Sequence, residues 1–277
     1  MHIQWWVDNL EFSVKKVSHG NPTIVVHTDA SLKGYGGCIK ALNAETNGVW
    51  SVDEQNLHIN ILELKACKLS LIALCQNLKK VHIRIYSDNT TCCAYINKLG
   101  GRCKELNDLS REIWFWCIDR GIHLSAAHVA GSANTEADRL SRQFNDDLEW
   151  SLNDLVFKEI VVKFGIPDID MFASRLNRKL DNYVSRLPQP EAWAIDAFSL
   201  DWENKLLYMF PPFSLIPKVL QKVIQDQAEV ILVAPVWTTQ GWWAQLLHLL
   251  SQQSYLLPPS QEILHLPHKP DRKHPLK

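Results

Sequence analysis

The sequence predicts an α/β fold in which a mixed sheet flanked by helices is followed by a second, smaller α/β unit. Two runs rich in β-branched residues, TIVVHTDA and VHIRIYSD, read as strands, and each ends on an aspartate, Asp29 and Asp88. Between them, Ile59 to Leu74 contains no Gly or Pro and sets Ile61, Leu62, Leu64, Leu69, Leu71 and Ile72 among good helix formers. Later, the strand-like runs 206–210 and 229–234 flank an amphipathic stretch near 214–227, as a small α/β unit requires. At 277 residues and 46% hydrophobic content the chain can build one large or two modest cores, and two domains are expected.

Residues 1–21 are aromatic then polar, with Trp5 and Trp6 adjacent, and read as a lead-in from a preceding domain. The first unit, 22–145, should begin with strands near 23–29, 35–41 and 47–52, where Gly34, Gly36 and Gly37 permit a tight turn and close backbone approach. After the helix that carries Glu63 come a strand at 81–87, helices at 90–98 and 105–120, a strand at 122–127 and a short helix carrying Asp138 to Arg142. Ile113, Trp114, Trp116 and Cys117 form an apolar stripe that suits core packing better than base stacking.

The second unit spans 150–257 and opens at Ser151, where Leu152, Leu155, Val156, Ile160 and Val161 share one face of a helix ending at Gly165. Beyond it, 258–277 is rich in Pro, Lys and His and reads as a tail or linker, with His265, His268 and His274 solvated rather than metal-bound.

Seven cysteines without a CxxC pair read as reduced, mostly buried thiols rather than a zinc site. The Asn89-Thr90-Thr91 sequon abuts Asp88 in a chain that lacks a secretory signal, so glycosylation is not expected. No run of about 18 apolar residues occurs, and the expected setting is soluble and intracellular, in cytoplasm or nucleus, with no membrane partner.

Four acids stand in distinctive settings: Asp29 in HTDAS, Glu63 in NILELKA, Asp88 in IYSDN and Asp138 in HVAGSANTEAD. Carboxylates brought together from strands and helices repel one another unless cations neutralise them. Hard oxygen ligands suit Mg²⁺ or Mn²⁺, and a pair of such ions points to phosphodiester hydrolysis. His128, ten residues before Asp138 on a Gly- and Ser-containing loop, is placed to shuttle protons or help product leave. With a net charge of −1, any grip on a polyanion must be local. The stretch KLGGRCK offers Lys98, Arg102 and Lys104 for nucleic-acid binding, with a solvated turn as the alternative.

The order Asp29, Glu63, Asp88, His128, Asp138 in these contexts resembles the RNase H family, specifically the ribonuclease H of retroelement reverse transcriptases, over roughly residues 22–142. The resemblance implies an RNase H-like fold and two Mg²⁺ (or Mn²⁺) ions on Asp29, Glu63, Asp88 and Asp138, with His128 as the loop histidine. It also implies cleavage of the RNA strand of RNA–DNA hybrids and association with the polymerase part of a larger polyprotein. From about Gly165 to Leu247 the chain resembles the Dam-like adenine methyltransferase region of DIRS-type retrotransposon polyproteins. In Phe210-Pro211-Pro212-Phe213, Phe210 stands where the resemblance implies an Asn or Asp that accepts hydrogen bonds from the target amine, which implies a degenerate methylase. Asp170 and Asp196 read as loop or cap residues before ligand contacts. The alternatives to the nuclease are a catalytically silent scaffold and, less favoured, an active DNA adenine methyltransferase.

Overall fold

The apolar run at the start of the first unit forms strand β1 (Ile24–Ala30), whose Val26 is fully buried. The computed structural model describes residues 7–12, 20–145, 149–257, 260 and 262–275; Trp5 and Trp6 of the expected lead-in lie outside them. Strands β2 (Gly34–Ile39) and β3 (Ala44–Val49) follow as an antiparallel meander, with Asp29 of β1 opposite Gly36 of β2. Strands β4 (His82–Ser87) and β5 (His123–His128) then add in parallel on the other side of β1, giving the sheet order β3-β2-β1-β4-β5.

The expected Glu63 helix is α2 (Ile59–Cys75), preceded by a single-turn helix α1 (Val52–Gln55). Helix α2 buries Leu62, Leu64, Cys67, Leu69 and Leu71, and a helix apolar on most sides is stable only when enclosed. It packs on β1 and β2 and against α4 (Lys104–Ile118), after α3 (Thr90–Asn97) has returned the chain from β4. Asn89 is spent locally, its Oδ1 accepting from the Cys92 amide at 2.9 Å to cap α3 and its amide donating to Asn60. Ile113 and Cys117 of α4 are buried, and Trp114 and Trp116 pack against the same core.

Helix α5 (Thr135–Arg142) crosses the opposite face of β2. The GYGG sequence of β2 is explained by this sandwich. A β-carbon at Gly36 would lie 2.5 Å from the Ala137 carbonyl, and one at Gly37 would lie 2.2 Å from Ser70 Oγ of α2. All seven cysteines are free, and all but the half-buried Cys103 are buried.

The second unit has its own parallel sheet, built from β7 (Ile169–Asp170), β10 (Leu206–Met209) and β11 (Glu229–Leu232) in the order β11-β10-β7, while β8 (Val184–Ser185) and β9 (Ala194–Ile195) form a separate parallel pair. Helix α7 (Ile216–Gln225) makes the crossover between β10 and β11 and buries Val219 and Val223 against Trp202 and Leu207. The helix expected after Ser151 is α6 (Asp154–Phe164), ended by Gly165, but Leu152 belongs to strand β6 (Ser151–Leu152) instead.

That strand corrects the reading of 258–277 as a tail or linker. Leu264–His265 forms strand β12 antiparallel to β6, and Leu266 and His268 are buried. His274 packs edge-on against Trp150, at 4.5 Å between ring centroids, so these histidines are packed rather than solvated. A pair of two-residue strands leaves no periodic signal, which is why composition pointed the other way.

The two units meet along β3 and α1. Arg175 forks onto Glu54, Nη1 to Oε1 at 3.0 Å and Nη2 to Oε2 at 2.7 Å, and also donates to the Val49 carbonyl. Gln189 donates to the Asn47 carbonyl, and Gln55 to the carbonyl of His268. Burial alone would push the Glu54 carboxyl up, but Arg175 and Lys65 hold it down to about 2. Removing one partner of a buried pair strands the other charge. Arg175→Met is therefore expected to lower stability by about 2 kcal/mol, since Lys65 still pairs with Glu54 at 2.7 Å. Urea unfolding at pH 7 measures the difference.

Candidate metal centre

Asp29 lies one residue before the end of β1, Asp88 one residue past the end of β4, and Glu63 in the second turn of α2. Because β1 and β4 run parallel side by side, both aspartates emerge at the same edge of the sheet. One oxygen from each of Asp29, Glu63 and Asp88 lies within 4.8 Å of the others.

This cluster is electrostatically unfavourable when no cation is bound. Burial first, then Asp29 and Asp88 among its neighbours, push the Glu63 carboxyl up to about 9. Burial likewise pushes Asp29 up to about 6, with Asp88 and Asp138 adding to it against a hydrogen bond from Ser141. Glu63 is only 5% exposed, yet its Oε2 has no hydrogen-bond partner among the described residues. Native proteins seldom leave a buried carboxylate oxygen unmet. Three hard oxygen donors, with a Glu63 oxygen left unpartnered, fit a divalent cation of the Mg²⁺ or Mn²⁺ kind.

Asp138 departs from the expected set. It is not one of the three clustered groups, and its Oδ1 accepts from Arg142 Nε at 2.6 Å, one helical turn on. This is an i,i+4 pair on the exposed side of α5. His128 ends β5 in an exposed position, paired in register with Ser87, the residue before Asp88. The loop that follows passes beside Asp88, since a β-carbon at Gly131 would lie 3.1 Å from Asp88 Oδ2. Lys98, Arg102 and Lys104 are all exposed along the connection between α3 and α4.

Sequence reasoning missed two positioning groups. Ser141, fully buried, donates its hydroxyl to Asp29 Oδ2 at 2.6 Å, and its carbonyl accepts from Ser31 Oγ. Asn134 is 1% exposed and donates to the Thr28 carbonyl at 2.9 Å, pinning the loop from His128 beside Asp29. Asn134 stands where a helix cap is expected, but its side chain makes no capping bond. Its only signal in the sequence was a polar residue at a cap position, which points to the wrong partner.

In the second unit, Asp196 accepts from the Phe198 amide as a local cap. Asp170 is buried and accepts from the Lys179 amide at 2.9 Å, while burial pushes its carboxyl up to about 7. Phe210 packs into the apolar cluster of Leu152, Ile160 and Tyr208.

No protein-family model matches the chain. Over 133 residues, 44% of this chain, it is 30% identical to the enzymatic polyproteins of Cauliflower mosaic virus strains D/H and Strasbourg. The match spans 19% of those polyproteins. The first unit is the expected mixed sheet flanked by helices, with three antiparallel strands followed by two parallel ones. Solved structures with similar chains include RNase H1 from Halobacterium salinarum NRC-1, at 15% identity and a TM-score of 0.36, covering 42% of this chain and 92% of that one. The N-terminal RNase H domain of a Mycobacterium tuberculosis protein gives 17% identity and a TM-score of 0.34, covering 43% and 91%. LC11-RNase H1, solved in complex with an RNA/DNA hybrid, gives 16% and 0.35, covering 43% and 93%. No helix among the described residues is long and apolar enough to cross a membrane.

Proposed function

We propose that this chain is a metal-dependent endoribonuclease that cleaves the RNA strand of RNA–DNA hybrids as part of a larger retroelement polyprotein. The observation that carries this reading is the convergence of Asp29, Glu63 and Asp88, from two strands and a helix, to within 4.8 Å. Similarity to a stretch of a viral enzymatic polyprotein supports the retroelement setting, with a polymerase region as the expected partner. The DIRS-type arrangement is the finer form of the same reading and rests on the order of segments in the sequence.

In this reading Asp29, Glu63 and Asp88 hold divalent cations, Mg²⁺ or Mn²⁺, with Asp138 joining them when a second ion is present. Bound there, such ions activate water and stabilise the departing oxygen of a phosphodiester. Glu63, on the helix side of the cluster, is assigned the contact with the RNA 2′-hydroxyl, the group that separates RNA from DNA. His128, exposed beside Asp88, carries protons at the mouth of the site. Lys98, Arg102 and Lys104 meet backbone phosphates, which position a duplex without reading its sequence.

The second unit is assigned a supporting role, because Asp170 and Asp196 are engaged in local hydrogen bonds and Arg175 fastens it to Glu54. Methyl transfer receives no support from Phe210, which offers no acceptor for an amine.

The test incubates the purified chain with a labelled RNA–DNA hybrid in Mg²⁺, in Mn²⁺ and in EDTA, beside Asp88→Asn. Cleavage of the RNA strand should require metal and fall at least about a hundredfold in the variant, which removes a ligand charge at near-constant volume. Metal-independent cleavage, or equal turnover by Asp88→Asn, rejects the assignment. Hybrid binding by a folded protein that never cleaves supports the scaffold alternative.

A further inference from the structure

Three segments of the second unit converge on one corner of the first, residues 47–55. Gln189 donates to the Asn47 carbonyl, Gln55 donates to the His268 carbonyl, and Arg175 forks onto Glu54 while Nη2 also donates to the Val49 carbonyl at 3.1 Å. The corner is built around the Glu54 carboxylate. Glu54 is buried, accepts from the Ser51 amide at 2.8 Å as the closing residue of a capping box, and pairs with Lys65 Nζ of α2 at 2.7 Å.

The same corner reaches the strand end and the helix that supply two of the three clustered carboxylates. Trp50 is fully buried and donates Nε1 to the carbonyl of Ser31, two residues beyond Asp29, at 2.8 Å. Its ring shares one apolar cluster with Ala30 and Leu62, the sequence neighbours of Asp29 and Glu63. Lys65 follows Glu63 by two residues in α2. A close-packed interior passes a shift of the corner on to these neighbours rather than absorbing it.

We propose that Arg175 is a positioning residue for the metal centre, holding the corner 47–55 so that Asp29 and Glu63 keep the separation a divalent cation needs. The inference rests on the metal-centre reading above and makes the second unit a working part of the nuclease. Arg175 acts through others: through Glu54 on Lys65 and α2, and through the Val49 carbonyl on Trp50 and the end of β1. Loss of the fork leaves Glu54 paired with Lys65 but frees the corner from the second unit, so the two carboxylates drift relative to each other.

Calorimetric titration of Mn²⁺ into the metal-free full chain, well below its melting temperature, tests this. Wild type is compared with Arg175→Met, Arg175→Lys, Glu54→Gln, the Arg175→Met/Glu54→Gln pair, Val219→Ala and Asp88→Asn, each checked for folding by near-ultraviolet circular dichroism. Arg175→Met should weaken Mn²⁺ binding roughly three- to tenfold, the size of effect carried through packed neighbours. Arg175→Lys keeps the charge without the fork and should fall between wild type and Arg175→Met, which leaves a readout even where the methionine variant does not fold. Adding Arg175→Met to Glu54→Gln should weaken binding no further, because both changes break the same link. Val219→Ala loosens the second unit's own core away from the corner and should leave Mn²⁺ affinity unchanged. Wild-type affinity in folded Arg175→Met or Arg175→Lys overturns the proposal, as does full additivity in the pair or equal weakening by Val219→Ala, which would show a general softening. Failure of the underlying metal centre looks different: wild type would then bind no Mn²⁺ beyond what Asp88→Asn binds, and both readings would fall.

Discussion

Glu63→Gln is expected to abolish metal-dependent cleavage while raising the thermal stability of the metal-free protein at pH 8. The two effects share one cause. Glu63 is buried, its Oε2 is unpartnered, and its carboxyl is pushed up to about 9 by burial and then by its neighbours, Asp29 and Asp88 among them. The unfolded chain ionises this group near the ordinary glutamate value of about 4.3. Between those limits the native state binds a proton that the unfolded state has released, so stability falls as pH rises. Stability from this group is full below about 4.3 and lost by about 9, with a slope of at most about 1.4 kcal/mol per pH unit. Asp29, raised to about 6, adds a slope of the same sign at the acidic end of the window.

Glutamine keeps the shape of the protonated carboxyl and does not titrate, so the variant should melt at nearly constant temperature from about pH 6 to 9, while metal-free wild type melts lower at each step. Saturating Mg²⁺ should stabilise wild type through binding to the ionised carboxylates and should do little for the variant. Melting curves across that pH range, with and without Mg²⁺, read the outcome. A metal-free wild type that grows more stable from pH 6 to 9 would contradict the electrostatic account. A variant that still cleaves would remove Glu63 from the site.

The same physics decides what the sequence could reveal. Asp29 and Asp88 were legible because each ends an apolar run, and strand ends at one edge of a parallel pair are brought together by topology alone. Glu63 was legible because nothing in Ile59 to Leu74 interrupts a helix. The Ser141 bond to Asp29 spans 112 residues, and a serine within a helix gives no local sign of so distant a partner. Asp138 was placed with the other acids by its sequence context, and its pairing with Arg142 one turn on becomes visible only once α5 is helical. In the second unit the amphipathic stretch at 214–227 was visible as α7, but the fork of Arg175 onto Glu54 joins residues 121 apart and depends on the docked arrangement.

Gly36→Ala is expected to cost about 3 kcal/mol of stability, at the upper end of what overpacking a core position brings. The added methyl would meet the Ala137 carbonyl at 2.5 Å, Leu140 Cβ at 2.6 Å and the Ser141 amide at 2.6 Å. Two of those atoms are backbone and the third is a β-carbon, so no flexible side-chain end can yield, and α5 must lift from β2. Gly36 stands opposite Asp29 in the sheet, and the part of α5 that must lift includes Ser141, which holds Asp29 Oδ2 at 2.6 Å. Loss of stability and loss of metal affinity should therefore appear together in this variant, by urea unfolding and Mn²⁺ titration. Ser141→Ala separates them: it removes the hydroxyl without moving the helix, so it should weaken Mn²⁺ binding while costing only about 1 kcal/mol of stability. If Gly36→Ala unfolds at the same urea concentration as wild type, the tight crossing of α5 over β2 is wrong, and the position assigned to Asp138 falls with it.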